Sequence, residues 1–290
     1  MPKCPICESM RFREKFEKYR CHFLECQVCG FITIFPPPDK KEVEAMYSQT
    51  FYKSWGMEKG DSLSVRNMKI KTALRLLKQV EKFKNAGNLL DVGCAAGHFL
   101  EAAADRGWQC YGVELSDYSA SLAKKKFGEH IYCGSFETAP LPEAFFDLII
   151  MSDVFEHFQD PNPILEKIRT ILRDDGILVI VTPDSGSISA RLFSSKWNHY
   201  EMEHLIYFNR KNIELCFKEN DLLPLMVKTA AKAMNLKYMY SQMTAYPHPF
   251  FTPMIGFINR VLPDAFLRLN LFVISGDMLV VAKKIGGNVC

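Results

Sequence analysis

The sequence predicts an α/β fold with a doubly wound parallel sheet, preceded by a small cysteine-rich segment. Apolar runs with strand character alternate with helical patterns from residue 88 to 183, as in a sheet covered on both faces. The apolar run 88–92 enters a glycine turn, and a helix-compatible stretch, 99–104, follows at once. Strand, glycine turn and helix in this order are typical of a nucleotide site.

Composition limits the possible classes of protein. With 290 residues, 48% apolar and 24% charged, the chain has room for one large domain plus attachments. A formal charge of +3 argues against a strongly phosphate-driven nucleic-acid binder. We expect no secretory signal and no membrane span, because no apolar run follows Met1 and no uncharged apolar stretch approaches about 18 residues.

The first 39 residues predict a zinc ribbon. Five of the ten cysteines lie in the first 29 residues and the others are scattered singly, which fits a reducing cytoplasm and one metal site. Two Cys-x2-Cys knuckles can supply four thiolates in a closed tetrahedron, so we interpret the zinc as structural. The predicted ligands are Cys4, Cys7, Cys26 and Cys29.

The rest of this segment predicts a short hairpin over 13–20 and a strand over 31–35 that packs on apolar neighbours. Cys21 and His22 are spare donors, and one of them could replace a cysteine as ligand. Pro36-Pro37-Pro38 is a stiff connector that closes the ribbon.

Residues 40–85 predict a helical lid or linker. Asp39 is a candidate N-cap for a helix over 40–47, and the aromatic segment 51–56 resembles a loop. A surface helix is expected over 64–84, ended by Gly87. Its predicted apolar positions are Ile70, Leu74, Leu77 and Val80.

The third region, 86–290, carries the sheet. Its later predicted elements are a helix capped by Ser116-Asp117 and running to Phe127, a strand at 146–151, a helix opened by Pro161 and Pro163, a strand at 176–181, a helix from Asn209 to Asn220, a strand at 222–227 and a last strand at 275–284. An insertion at about 230–270 is rich in Met, Tyr, Phe and Pro.

The glycine turn reads Gly-x-Ala-x-Gly and lacks the Gly-x-Gly-x-x-Gly spacing of a pyrophosphate cradle. About 20 residues later, Glu114 ends the next predicted strand, where an acid holds a ribose diol. A nucleoside-type ligand follows from Asp91, Gly93 and Glu114 together.

These residues resemble the class I S-adenosylmethionine-dependent methyltransferases over roughly 88–229, through LLDVGCAAGHF, YGVELS, FFDLIIMSDVFEHFQDP and DDGILVIVTP. The resemblance implies a Rossmann-like seven-stranded sheet with an antiparallel last strand, and S-adenosylmethionine as cofactor. The alternative is a Rossmann domain for another nucleotide. The implied cofactor-binding residues are Asp91, Gly93, Cys94, Ala95, Gly97, Glu114, Leu115, Ser135, Phe136, Glu137 and Ser152.

In such enzymes an aromatic segment often covers the cofactor, which gives Tyr47 or Tyr52 this role; equally, these aromatics could pack the ribbon to the core. We predict Tyr52 as a cofactor-binding residue.

Two Glu-His pairs, Glu156-His157 and Glu203-His204, are candidates for proton transfer, which methylation of a hydroxyl or acidic carbon requires. Glu203-His204 resembles the Glu-His-x-x-Tyr-Phe stretch of zinc-containing sugar C-methyltransferases, although Tyr200 stands four residues before the histidine instead of three and the large C-terminal domain of those enzymes is absent. We predict His204 as the base, Glu203 as its helper and His157 as second choice. Alternatively, His157 only packs the loop after its strand, and His204 is a satisfied histidine that orients the following helix. His98, His130 and His248 are interpreted as ordinary residues.

The sequence therefore indicates a cytoplasmic methyltransferase acting on a small molecule, such as a sugar, a glycan precursor or a secondary metabolite. One alternative is a ribosomal RNA methyltransferase, since one such family also has an N-terminal zinc element. However, Ser152-Asp153-Val154-Phe155 replaces its Pro-Pro motif and the charge is low. The other is a non-catalytic ribbon protein with a vestigial cofactor fold, against which the intact cofactor motif argues. The acceptor and the oligomeric state stay open.

Overall fold

A computed structural model of the chain describes residues 3–38, 63–245 and 251–285. The elements, in chain order, are β1 (Phe12–Lys18), β2 (Cys21–Cys26), β3 (Ile32–Phe35), α1 (Leu63–Val80), β4 (Asn88–Val92), α2 (His98–Ala104), β5 (Gln109–Glu114), α3 (Asp117–Phe127), β6 (Ile131–Cys133), β7 (Phe146–Ser152), α4 (Pro161–Ile171), β8 (Leu172–Pro183), α5 (Ile188–Phe193), β9 (Ile206–Tyr207), α6 (Arg210–Glu219), β10 (Leu222–Thr229), β11 (Lys232–Met234), α7 (Leu236–Ala245), α8 (Phe251–Val261), α9 (Asp264–Leu267), β12 (Leu271–Val273) and β13 (Asp277–Lys284). The predicted helix 40–47, the aromatic segment 51–56 with Tyr52, and Tyr47 lie outside the described residues.

The central sheet has seven strands in the order β10-β13-β8-β7-β4-β5-β6. Strands β4 to β8 pair in parallel, and β13 runs antiparallel to both β8 and β10. This confirms the predicted α/β sheet with an antiparallel last strand. The carboxyl ends of β4, β5 and β7 lie next to one another, because these strands are neighbours in the sheet and parallel.

The helix caps predicted at Ser116 and Asn209 are present, and Asp39 lies outside the described residues. The Ser116 side chain accepts a hydrogen bond from the Ser119 amide. At the start of α6, the Asn209 side chain accepts a bond from the Asn212 amide, and the Asn212 side chain accepts one from the Asn209 amide. Asp160, which precedes Pro161, accepts a bond from the Asn162 amide. Each cap satisfies an amide that a helix leaves unpaired, which explains these sharp helix starts.

The helix predicted over 64–84 differs in its end and in its buried face. It ends at Val80, and Leu74 is exposed, whereas Leu76 is buried beside the correctly predicted Leu77 and Val80. Gly87 does not end this helix. It has φ +120° just before β4, where a Cβ atom would lie 2.1 Å from Asp147 Oδ2.

The ribbon is not a separate lobe. Its strands form a sheet in the order β1-β2-β3-β9, so a strand from the main domain completes it. Ribbon side chains such as Ile6 and Phe31 lie in the same apolar core as Leu90 of β4 and Phe155. The segment Arg13–Arg20 supplies one strand and the turn of the hairpin, whose second strand is β2.

The insertion after β10 forms a cap. It contains a two-stranded sheet of β11 and β12 and the helices α7, α8 and α9. The cap contacts α1 through β11, and Thr72 Oγ1 of that helix accepts a hydrogen bond of 2.9 Å from the Ala233 amide. The cap therefore lies over the same edge of the domain as the end of β10.

Candidate functional site

The cofactor loop is organised by one buried carboxylate. Glu114, at the end of β5, accepts a hydrogen bond of 2.8 Å from the Ala95 amide at one oxygen and another of 2.8 Å from the Ser116 amide at the other. The side chain is 5% exposed. A carboxylate oxygen has more than one lone pair and can accept more than one hydrogen bond. Glu114 thus fixes the glycine loop and has the acceptors that a ribose diol requires.

The loop itself needs small residues. Gly93 has φ +75° and Gly97 has φ +79°, and a Cβ atom on Gly93 would lie 2.4 Å from a methyl group of Val154. Ala95 also adopts a left-handed conformation, with φ +46°. For a residue other than glycine this conformation costs about 1–2 kcal/mol, so the loop carries backbone strain at its centre.

Other predicted cofactor residues lie around this loop. Asp91 is buried, and burial together with the nearby Glu114 raises the pKa of its carboxyl well above the usual range. Leu115 is 48% exposed directly after β5, where it is free to cover a flat ring. The Cys94 thiol points back to the sheet, since a Cβ atom on Gly112 would lie 2.6 Å from its sulfur.

The three residues predicted to flank an adenine, 135–137, differ in how far they are buried. The Phe136 ring is 3% exposed and packs in the core, with the Lys167 ammonium 5.2 Å from its centre. Ser135 and Glu137 on either side remain accessible, and Ser152 is half-buried at the end of β7. The Phe136 side chain therefore contributes to the fold rather than to an open surface.

The four predicted cysteines come together. The sulfurs of Cys4 and Cys29 are 3.6 Å apart, those of Cys7 and Cys26 are 3.5 Å apart, and all four lie within 4.8 Å of one another. A tetrahedral site with Zn–S bonds of about 2.3 Å requires sulfurs about 3.8 Å apart, so the geometry fits zinc. The hydrogen bond from Cys29 lowers the pKa of Cys4 to about 5, whereas the same contact together with burial raises the pKa of Cys29, and burial raises that of Cys7. The spare donors Cys21 and His22 lie outside the cluster, and His22 contacts Glu14.

The two predicted histidines also meet. The rings of His157 and His204 lie edge to face with centroids 4.8 Å apart. Glu156 joins them, since donor atoms of the three side chains lie within 4.8 Å of one another and Glu156 Oε1 is 4.0 Å from His204 Nε2. Such a group can share a proton or hold a cation. It is called the Glu-His-His cluster below.

Hydrogen bonds to backbone groups hold both histidines. His157 Nδ1 is 2.9 Å from the Glu203 carbonyl oxygen, and His204 Nδ1 is 2.9 Å from the His199 carbonyl oxygen. Carbonyl oxygens only accept, so His204 Nδ1 carries the hydrogen and its neutral ring keeps its lone pair on Nε2, whereas His157 is also hydrogen-bonded to the backbone of Asp153. The His204 lone pair is directed to the side of the ring where Glu156 lies.

Burial controls the charge of this cluster. It lowers the pKa of His157, and it lowers that of His204 well below the usual value, helped by the two neighbouring histidines. Burial and the nearby Asp153 raise the pKa of Glu156 to about 8. One Glu156 oxygen accepts a bond of 2.9 Å from the Thr182 hydroxyl, and the other, buried, has no hydrogen-bond partner among the described residues. At neutral pH the cluster is therefore mostly uncharged.

The sequence did not reveal which acid lies beside His204. Glu203 bonds to His157 through its backbone carbonyl, and its side chain interacts with Glu201. Glu156, noted only as a neighbour of His157, is the acid whose oxygen faces His204. Its place directly before His157 was the only available signal. The predicted role of Glu203 stays a prediction.

The ribbon holds the loop that carries His204. Strand β3 pairs with β9, and the Leu205 carbonyl accepts hydrogen bonds from the Ile34 amide and the Thr33 hydroxyl. Lys18 donates a bond of 2.6 Å to the Tyr200 carbonyl. On the other side, the Leu205 amide donates to the Glu156 carbonyl oxygen at 2.8 Å. The backbone next to His204 is thus bonded to both the ribbon and the turn at Phe155–His157.

Lys232 of the cap completes the surroundings. Its ammonium lies 2.6 Å from Asp153, which follows β7, and 3.0 Å from Asp277, which begins β13. Asp277 in turn lies 3.8 Å from His199 Nε2. The cap is therefore joined by ion pairs to the edge of the sheet where the cofactor loop and the Glu-His-His cluster lie.

Comparisons with known proteins agree with this geometry. The sequence model of a family described as "Methyltransferase domain" matches residues 65–225, more than half of the chain. The chain is 29% identical to a malonyl-[acyl-carrier protein] O-methyltransferase of Serratia marcescens over 34% of its own length and 40% of that protein's. It is 34% identical to a ubiquinone biosynthesis O-methyltransferase of Idiomarina loihiensis over 32% and 41% of the two chains. These matches thus span about two fifths of the length of each relative.

A solved structure, the YcgJ protein of Bacillus subtilis, has the same fold with a TM-score of 0.52 at 17% identity, covering 74% of this chain and 99% of that one. At this identity the likeness concerns the fold alone. Within the described residues, no helix is both long and apolar enough to span a membrane.

The raised pKa of Glu156 predicts a pH-dependent stability. Because this pKa is about 8 in the folded chain and 4.5 for an ordinary glutamate, Glu156 favours folding at low pH, and this contribution is lost as pH rises through 8. Relative to Glu156→Gln, the wild-type chain should therefore lose about 1 kcal/mol or more of unfolding free energy between about pH 5 and pH 8. Urea unfolding of both proteins across this range measures the difference. A constant difference would mean that Glu156 is ionised throughout.

Proposed function

We propose a function for this chain on the premise that it belongs to the methyltransferase domain family whose sequence model matches residues 65–225. It transfers a methyl group from S-adenosylmethionine to a small-molecule acceptor, with His204 as the proton acceptor. The observation that carries this proposal is the position of a neutral, buried Glu-His-His cluster at the edge of the sheet where the cofactor loop lies. Gly93 of that loop approaches Val154, two residues before Glu156.

Each part of the site has a task in this reaction. S-adenosylmethionine, when bound, supplies a sulfonium methyl group that an acceptor oxygen or carbon can attack in line. Glu114 and the amides around it hold the ribose, while Leu115 covers the adenine. His204 Nε2 takes the proton from the acceptor, because its lone pair is available and burial keeps the ring neutral by lowering its pKa. As the pH rises toward the pKa of Glu156, its carboxylate becomes available to stabilise the charged imidazole.

Glu156 acts on catalysis through His204, as a positioning and charge-balancing residue. A charged imidazole buried alone would be costly, whereas a carboxylate 4.0 Å away offsets this cost. The Thr182 hydroxyl keeps the carboxyl group in place. His157, bonded to the Glu203 carbonyl, closes the other side of the cluster.

We also propose that Cys4, Cys7, Cys26 and Cys29 hold one structural zinc ion. The support is the donor set, four sulfurs at distances that fit a tetrahedron. Four thiolate ligands leave no open coordination position, so the ion would take no part in the chemistry. Its task would be to fix β3, and through β9 the loop with His204.

The ribbon surface favours a small acceptor over RNA. Arg13 and Lys15 both bond to Glu25, at 2.6 Å and 2.9 Å, and these contacts neutralise part of its basic charge. RNA recognition relies on accessible cations that contact phosphates. We therefore keep the small-molecule acceptor, whether it is methylated on oxygen or on carbon.

The cofactor site predicts the effect of one substitution. Glu114→Ala removes acceptors that are worth on the order of 1.5–3 kcal/mol per bond and also frees the Ala95 amide, so binding of S-adenosylhomocysteine should weaken at least about tenfold. Isothermal calorimetry measures this, with the exposed Glu129→Ala as the control. An affinity equal to that of the wild type would show that the ribose is held elsewhere.

The catalytic proposal is tested with a panel of hydroxylated acceptors and labelled S-adenosylmethionine. His204→Ala should lower methyl transfer by about 10² to 10⁴ while cofactor binding is kept, because a general base is lost. His157→Ala should cost less, and the ribbon-surface variant His22→Ala should behave as the wild type.

Two outcomes would contradict this assignment. A fully active His204→Ala together with an inactive His157→Ala would exchange the roles of the two histidines. If a chelator that leaves the ribbon zinc in place abolishes transfer and added Mg²⁺ restores it, the cluster holds a cation instead of sharing a proton.

The zinc proposal predicts coupled losses. Cys7→Ser should lower the zinc content below one ion per chain and reduce methyl transfer more than cofactor affinity, because β3 supports the His204 loop. Elemental analysis and calorimetry check the two effects, with Cys21→Ser as a control within the ribbon. Purified wild-type protein without zinc, with all four thiols freely titratable, would overturn the proposal.

A further inference from the structure

One helix of the cap exposes an apolar stripe to solvent. On α8, Met254, Phe257 and Val261 recur at helical spacing and are 41%, 69% and 61% exposed, while Ile255 on the opposite face is buried. A surface helix normally shows the reverse pattern, with polar residues outward. The stripe is therefore a surface without an apolar cover among the described residues.

The stripe belongs to a larger patch. The chain after α8 continues it with further exposed apolar side chains, and α5 lies beside it through a contact between Phe193 and Phe251 with ring centres 5.5 Å apart. Exposed apolar patches of this kind mark interaction sites. We define the cap surface as Met254, Phe257, Val261, Leu262, Phe266, Leu269, Leu271, Phe272 and Ile274, together with Ile188 and Leu192 of α5.

Among the described residues, the unpaired charges around the cap surface are positive. From residue 222 to 276 the sequence contains five basic residues and one acid, Asp264, but Lys232 pairs with Asp153 and Asp277 and does not count toward this surface. Asp264 is already bound by Lys237 and Arg268, each at 2.5 Å. Arg260 is exposed beside the stripe on α8, and α5 and the turn after it add the exposed Arg191 and Lys196. The surface thus combines apolar side chains with cations.

We infer that the cap surface docks on an anionic lipid bilayer. Apolar side chains of an interfacial helix enter the headgroup region, and nearby cations are attracted to anionic lipids. A second copy of the chain fits less well. In a two-fold dimer the cap surfaces of both copies would face each other, and Arg260 would find no acid there, because Asp264 is already paired. Lys232 joins the cap to Asp153 at the candidate active site. If the proposed function holds, the acceptor is an amphiphile taken from the membrane surface.

Vesicle sedimentation of the full chain tests the docking. Binding to vesicles of phosphatidylcholine with phosphatidylglycerol should be strong and should fall with added salt, and binding to phosphatidylcholine alone should be weak. Phe257→Asp should lower binding to the anionic vesicles on the order of tenfold or more, since it removes a ring that would enter the bilayer and adds a negative charge. Arg260→Gln should lower binding to the anionic vesicles only.

Controls separate this inference from the proposed function. Met10→Asp, at a 59% exposed position in the ribbon, should bind vesicles as the wild type does. Phe257→Asp should still bind S-adenosylhomocysteine by calorimetry, and Phe266→Asp is the second variant if it does not. Failure of the wild type to bind the cofactor would count against the proposed function and leave the vesicle result unaffected.

Two results would overturn the inference. The first is equal sedimentation of the wild type with and without anionic vesicles. The second is a dimer in light scattering that Phe257→Asp converts to a monomer, which would assign the cap surface to self-association.

Discussion

The pairing of β3 with β9 is the contact on which the candidate active site depends. It is only two residues long, Ile32 with Tyr207 and Thr33 with Ile206, yet it joins the cysteine ribbon to the segment that follows His204. The aromatic side chains around it strengthen this contact, since Phe23, Tyr200 and Tyr207 are buried against one another. The ribbon therefore works as a structural support of the site, and its sheet is incomplete without the main domain.

Burial decides the chemistry of the Glu-His-His cluster. In water, Glu156 would be charged and His204 partly charged at neutral pH, whereas here burial shifts both pKa values toward the neutral forms. A neutral imidazole can accept the proton of the methyl acceptor, and the positive charge that it then carries is stabilised by Glu156 where that group is ionised. The same constraint makes the cluster sensitive to any opening of the loop, because water would restore ordinary pKa values.

Sequence reasoning succeeded where local pattern determines structure. The strands of the sheet, the caps at Ser116 and Asn209, and the four clustered cysteines all follow from short-range spacing. It did not identify the position of Glu156 beside His204, because that contact joins residues 48 positions apart through the pairing of separate loops. The sequence predicted Leu74 on the buried face of α1, where the structure has Leu76. Which of the two is buried depends on the direction from which the sheet and the cap approach the helix. The apolar stripe of the cap surface follows helical spacing, but the spacing alone does not tell whether that face of the helix is buried or exposed.

The distance along the chain between β3 and β9 has a consequence for synthesis. The Thr33 hydroxyl bonds to a carbonyl 172 residues later, so the outer edge of β3 has no native partner until that residue has been made. At about 5–20 residues per second, this interval lasts roughly 10 to 30 s. During this time the ribbon presents an open strand edge with the apolar Ile32 and Ile34 beside it, a known route to wrong pairing. The lysines and arginines that flank the hairpin would keep nascent chains apart during the delay.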